Sequence, residues 1–142
     1  MRYYDAKGVV LGRLASTVAK RLLNGEKVTI INADKALISG GKANILERYK
    51  LKRTRGSMRK GPYYPRRPER IMRRAVRGML PFYTSSGRAA FKNLKVFVGM
   101  PKGLKVAQYE AIKTQLGSDR YMELGEVSQL LGARDNWKEE AD

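Results

Sequence analysis

The chain has 142 residues, 42% of them hydrophobic, which suffices for one folded domain with a modest core and would be cramped for two. Its 30 Lys and Arg against 13 Asp and Glu leave a formal charge of +17, which repels itself unless a polyanion such as nucleic acid neutralises it. With neither Cys nor His in the sequence, disulfides and thiolate metal sites are excluded, and zinc sites and His-based acid–base chemistry lack their residues, so catalysis is disfavoured.

From the N-terminus, Arg2-Tyr3-Tyr4-Asp5-Ala6 suits a strand that stops at Lys7-Gly8. Leu11, Leu14, Ala15, Val18 and Leu22 recur at helical spacing, and Asn24-Gly25 supplies the C-terminal stop. Val28-Thr29-Ile30-Ile31-Asn32 is a short apolar, β-branched run, as in a strand covered on both faces. Strand, helix, strand predicts a parallel crossover unit and an α/β fold. A helix follows over about Ala43 to Leu51, and then Lys52 to Arg67, where Gly56, Gly61, Pro62 and Pro65 oppose regular structure. A loop of that length in a small domain is expected to be functional or disordered. Pro68 and Glu69 begin the next helix, and Gly78 with Pro81 ends it. Downstream, the pattern predicts a helix over Ser85 to Asn93, a strand over Leu94 to Val98 ended by Gly99 and Pro101, and a last helix over Leu124 to Leu131.

Charge is concentrated between Arg48 and Arg77. Arg48, Lys50, Lys52, Arg53, Arg55, Arg59, Lys60, Arg66, Arg67, Arg70, Arg73, Arg74 and Arg77 face the single acid Glu69, a local +12 of the total +17. On the helix, Ile71, Met72, Ala75, Val76 and Met79 fall on one side at about 100° per residue, and Arg70, Arg73, Arg74 and Arg77 on the other. Guanidinium groups bridge phosphate oxygens and stack on bases, which an ammonium does not do. Tyr63 and Tyr64, between Pro62 and Pro65, add aromatic surface on which exposed bases stack. A merely solvated face would interleave both signs. The loop is expected to order only on entering RNA. In contrast, residues 117–142 carry Asp119, Glu123, Glu126, Asp135, Glu139, Glu140 and Asp142 against Arg120, Arg134 and Lys138, an acidic segment unlike an RNA face.

Rival readings are weaker. No run approaches the roughly 20 apolar residues of a membrane span, and Met1 to Asp5 lacks a signal-peptide apolar run, so an intracellular protein is expected. The arginine helix has no Trp or Phe to anchor it on lipid, so its apolar face suits a domain core. Ser39-Gly40-Gly41-Lys42 resembles the end of a phosphate-binding loop, but Ala36 and Ala43 stand where a Gly and a Ser or Thr are needed. Its amides and Lys42 can still meet an RNA phosphate at a helix N-terminus. Gly8 and Gly12 lack dinucleotide-loop spacing. Asn32-Ala33-Asp34-Lys35 follows a strand, where either a ligand or a capped turn fits, and an enzyme built on Asp34 and Lys35 is the remaining catalytic reading.

Gly12-Arg13-Leu14-Ala15-Ser16, Ile31-Asn32-Ala33-Asp34-Lys35, Gly61-Pro62, Ala75-Val76-Arg77-Gly78-Met79-Leu80-Pro81 and Leu94-Lys95-Val96-Phe97-Val98-Gly99 stand in order along the chain. Together they resemble the ribosomal large-subunit protein thirteen family over Tyr3 to about Lys102, and Gly61-Pro62-Tyr63-Tyr64 resembles its archaeal and eukaryotic branch. The resemblance implies a three-layer α/β/α fold with a mostly parallel central sheet of about four strands, here in a single domain over 1–142 carrying the basic 48–77 segment. It implies a cytoplasmic, ribosomal location and contact with large-subunit ribosomal RNA and neighbouring ribosomal proteins. No cofactor, metal, small-molecule substrate or catalysis is implied. By motif match, Arg13, Lys35, Lys42, Arg74 and Arg77 are expected near RNA. Bacterial relatives carry histidines after the Leu94 to Gly99 strand, whereas Met100-Pro101-Lys102-Gly103 stands here, so contacts made there do not carry over. A messenger-RNA-binding regulator acting outside the ribosome is the alternative that the same basic surface permits.

Overall fold

The computed structural model describes residues 1–104, 108–110, 112, 116–117 and 120–134. Strand β1 (Arg2–Asp5) leads to helix α1 (Leu11–Leu23), which ends at Gly25 in a left-handed conformation (φ +82°) and returns the chain to strand β2 (Val28–Ile31). The two strands are parallel, with Tyr4 opposite Ile30, and a parallel pair needs the crossover that α1 supplies. All four residues of β2 are buried because it is the central strand, flanked by β1 and by β4 (Leu94–Val96), also parallel. Tyr4, Val28, Ile30, Leu94 and Val96 share one face and join the apolar face of α1 in the core.

After β2 the backbone turns at Asn32 (φ 53°) into a 3₁₀ turn, Ala33–Lys35, and then into β3 (Leu37–Ser39) and helix α2 (Lys42–Thr54). Helix α3 (Pro68–Met79) packs on α1, β4 and the 3₁₀ turn. Helix α4 (Ser85–Lys92) packs on α1 and β4. Strand β5 (Tyr121–Glu123) pairs antiparallel with β3, Ile38 opposite Met122, and runs directly into α5 (Leu124–Leu130), which fills the space between α2, α3 and the 3₁₀ turn.

The fold is therefore α/β with a mostly parallel sheet in the three-layer arrangement that the resemblance implies. Among the described residues its main sheet has three strands, against the four or so expected, extended beyond β1 by a parallel bridge between Tyr4 and Glu110. Glu110 is held there by its N–H donating to the Tyr3 carbonyl (2.9 Å), by the Tyr4 hydroxyl (2.6 Å) and by Arg2, which also grips Glu26. The two-stranded β3–β5 sheet is an addition to the predicted elements. Each strand is three residues long, and the pairing that defines them joins segments more than eighty residues apart, so neither carries a periodic signal of its own.

Other differences are at element ends. Helix α2 continues to Thr54, so Lys52 and Arg53 belong to a helix and not to the loop. The strand predicted over Leu94 to Val98 keeps ladder pairing only to Val96, after which Phe97 donates to Ile30 and receives Ala33. Met79, expected on the packed side of α3, is 45% exposed because the last turn of that helix runs past the surface that buries Ile71, Met72 and Val76. Of the acidic C-terminal segment, residues 118–119 and 135–142 lie outside the described residues; what is described, β5 and α5, is packed into the body through Met122, Leu124 and Val127.

Helix α4 starts under tight constraint. Thr84 caps it by accepting from the Gly87 N–H at 3.1 Å, and a Cβ on Gly87 would stand 2.0 Å from the Pro81 carbonyl oxygen. Gly87→Ala is accordingly expected to lower stability by about 1–3 kcal/mol, as overpacking against immovable backbone does. Urea unfolding of the two proteins checks this, and equal midpoints would show that the Pro81 turn yields freely.

Candidate nucleic-acid interface

Helix α3 has two faces with different duties. Ile71, Met72 and Val76 are buried, while Arg70 and Arg74 are exposed and Arg73 and Arg77 lie half-buried at the surface. Pro68 at the helix start and Glu69 in the first turn match the unsatisfied N–H groups and the dipole there. The half-buried arginines lie on aromatic rings. The Arg77 guanidinium sits 4.1 Å from the centre of Phe82, that of Arg73 4.9 Å from Phe91, and the two rings meet edge to face at 5.5 Å. Each such contact contributes about 0.5–1 kcal/mol at an exposed site and restrains a side chain that would otherwise sample many rotamers. With Pro65, these residues line an open groove of about 470 Å³.

Among the described residues, the carboxylates in ion pairs engage other cations. Glu26 and Glu110 engage Arg2, Glu26 also reaches Arg21 (3.6 Å), Glu126 pairs with Lys42 (2.7 Å) and Glu69 with Arg67 (2.8 Å). Among the described residues, no carboxylate forms an ion pair with Arg70, Arg73, Arg74 or Arg77. A phosphate reaching this row displaces solvent and counterions and breaks no internal salt bridge.

The segment between α2 and α3 continues the positive surface. Lys52 lies over both Tyr49 (5.0 Å) and Tyr64 (5.2 Å), whose rings meet edge on at 6.1 Å, and Arg53 donates to the Tyr64 carbonyl. Burial lowers the Lys52 pKa, with Arg48 adding to the effect, and burial with Arg66 does the same to Arg53. The cations are thus close enough to feel one another. Beyond Arg55 the chain forms a compact turn. Ser57 and Gly61 exchange backbone hydrogen bonds (3.1 and 3.0 Å), the Lys60 N–H donates to the Ser57 hydroxyl, and the Tyr63 hydroxyl donates to the Met58 carbonyl at 2.7 Å. Gly56 is required beneath it, since a Cβ there would fall 2.3 Å from the Gly61 oxygen. Instead of a segment without local structure, the loop carries a turn closed by its own hydrogen bonds, which leaves Arg55, Arg59, Lys60 and Met58 exposed.

Residues 1–103 match the family described as ribosomal protein L13. The chain belongs to the ribosomal protein L13 family. It is 52% identical over 135 residues to the large ribosomal subunit protein uL13 of Archaeoglobus fulgidus, spanning 92% of this chain and 86% of that one. It is 50% identical over 139 residues to the protein of the same name from Methanosarcina barkeri, with 94% and 99% covered, and 53% identical over 137 residues to that of Methanosphaera stadtmanae, with 92% and 96% covered. The family is one of structural ribosomal proteins and not of enzymes.

Within this L13-family chain, the residues singled out from the sequence divide by environment. Arg55, Arg59, Lys60, Arg66, Arg70 and Arg74 are exposed along the loop and α3, and Tyr63 is 67% exposed. Tyr64 is half-buried, its ring packed against Tyr49 and the core. Arg67 is tied to Glu69 and Lys42 to Glu126, so both serve internal contacts in the free protein. Arg13 and Lys35 are exposed on α1 and the 3₁₀ turn, away in sequence from the loop and helix. The turn considered for catalysis is occupied structurally. Asn32 donates to Asp5 (2.9 Å), and Asp34 accepts from the Gly99 N–H (3.4 Å). Phe82 and Phe91 are part of the surface without having been singled out from the sequence. The usable signal is an aromatic pair just beyond an arginine helix, Phe82 before α4 and Phe91 in its last turn.

The Tyr49–Tyr64–Lys52 cluster gives a pH signature. Burial pushes the Tyr49 hydroxyl up to about 12, so between pH 10 and 12 the unfolded chain releases a proton that the folded chain keeps, and stability falls as pH rises. Tyr49→Phe is expected to remove about 2 kcal/mol of that alkaline loss. Urea titrations of both proteins from pH 9 to about 12 measure it; parallel pH slopes would contradict the assignment.

Proposed function

We propose that this chain is a structural constituent of the large subunit of the cytoplasmic ribosome that binds ribosomal RNA through the α3 arginine row and the adjoining 55–67 loop. Neighbouring large-subunit proteins are its other partners. The observation that carries the reading is the row of four arginines with no carboxylate partner among the described residues, fixed on a helix whose opposite side is core. Membership of a large-subunit ribosomal protein family supports ribosomal RNA as the polyanion. Contacts are mainly to phosphates, with Arg55, Arg59, Lys60 and Arg66 extending the row, and Arg13, Lys35 and Lys42 meeting RNA elsewhere. Lys42 would then exchange Glu126 for phosphate. The work is scaffolding during subunit assembly, because a fixed array of donors on a rigid body selects RNA already folded to match it.

Replacing Arg70 and Arg74 by Gln removes two phosphate contacts. The slope of log K against log salt for ribosomal RNA binding should become shallower by roughly 1.5–2, with affinity reduced at low salt and the fold intact. An unchanged slope would remove α3 from the interface. Co-sedimentation after a high-salt wash separates the ribosomal role from messenger-RNA regulation. A constituent stays with large subunits, whereas a regulator is recovered free of them and bound to messenger RNA.

A further inference from the structure

We propose that the groove between α3 and the Phe82–Phe91 pair is a receptor for one unstacked nucleotide of the bound RNA, whose base lies on the outer face of the Arg77 guanidinium. The inference rests on the RNA-binding reading and sharpens it, from phosphate contact in general to a defined subsite for a single-stranded feature.

Three observations carry it. The groove, about 470 Å³, falls within the size of small-ligand clefts, and everything lining it is either cationic or apolar. Its occupant is therefore anionic at one end and flat and apolar at the other, which describes a nucleotide. Next, the arginines divide into two kinds. Arg70 and Arg74 stand exposed one helical turn apart, suited to phosphates, whereas Arg73 and Arg77 lie over phenyl rings, 4.9 and 4.1 Å from their centres. A guanidinium stacked on a ring keeps its N–H donors at its edges and has a second planar face for a base. Because Arg77 is 4.1 Å from the Phe82 centroid yet still half-exposed, its outer face remains available. Finally, regular A-form duplex has no use for this arrangement. Its bases are stacked inward, and a protein meets it by phosphates, 2′-hydroxyls and shape. A duplex would engage Arg70 and Arg74 and leave the Phe82–Arg77 stack idle.

The test uses the full chain with two probes, a short single-stranded RNA oligonucleotide and the duplex of the same sequence, each titrated over a salt series. Phe82→Leu keeps the groove apolar but removes the ring beneath Arg77, and Arg77→Lys keeps the charge but removes the stacking plane. Each is expected to weaken the single strand about tenfold, in line with the loss of one base stack, with the salt slope unchanged and the duplex weakened much less. Arg77→Lys changes a surface residue only, so it stands even if Phe82→Leu disturbs folding. Equal weakening of single strand and duplex, or no weakening by Arg77→Lys, overturns the subsite while leaving RNA binding in place. Failure of the parent chain to bind either probe overturns both readings. Displacement of the single strand by an acidic, aromatic peptide at lower concentration than by unlabelled RNA would assign the groove to a protein partner and overturn the proposal.

Discussion

Burial of the apolar side of α3 is the constraint on which the rest of this molecule depends. Ile71, Met72 and Val76 are fully buried against a core that includes α1 and β4, and each such side chain contributes roughly 1.5–3 kcal/mol. The arginines on the other side contribute little to folding and repel one another. Their placement is a by-product of packing, and that makes it dependable. A guanidinium row on a helix anchored by its far side keeps its spacing when phosphate arrives, whereas the same charges on a mobile tail would have to be ordered at that moment.

Charge is sorted on the same principle. Where the fold needs two segments held together, a cation has an acid: Arg2 and Glu110 fasten residue 110 to β1, and Lys42 and Glu126 link α2 to α5. Near the groove, aromatic rings take the place of acids. Phe82 and Phe91 hold Arg77 and Arg73, and Tyr49 with Tyr64 holds Lys52. A ring orients a cation without neutralising it, so the field presented to a polyanion is preserved while conformational freedom falls. Burial lowers the Lys52 and Arg53 pKa values, and the neighbouring Arg48 and Arg66 charges add to the effect.

What the sequence revealed follows from where the determining interactions are. Helices α1 and α3 were legible because their burial repeats at helical period within a dozen residues. β2 was legible because a strand covered on both faces is an unbroken β-branched run. β3 and β5 were not, since their identity lies in a pairing between remote three-residue segments. The arginine row was readable from periodicity, but the rings beneath Arg73 and Arg77 come from α4 and the turn before it, and only tertiary packing brings them there. Similarly, the Gly- and Pro-rich composition of the loop signals irregular backbone equally well for a floppy segment and for the compact turn that Gly56 and the Ser57–Gly61 bonds build.

A net charge of +17 alone would make this protein adhere to any nucleic acid, because phosphate neutralisation carries no sequence or shape information. Discrimination has to come from elements that are rigid before binding and fit only one RNA surface. The ring-mounted arginines and the self-closed turn at Ser57–Gly61 are held by contacts internal to the protein and are the candidates for that role. On the proposed RNA-binding reading, affinity and selectivity fall to different groups, the exposed cations giving the first and the few side chains whose geometry is already set giving the second.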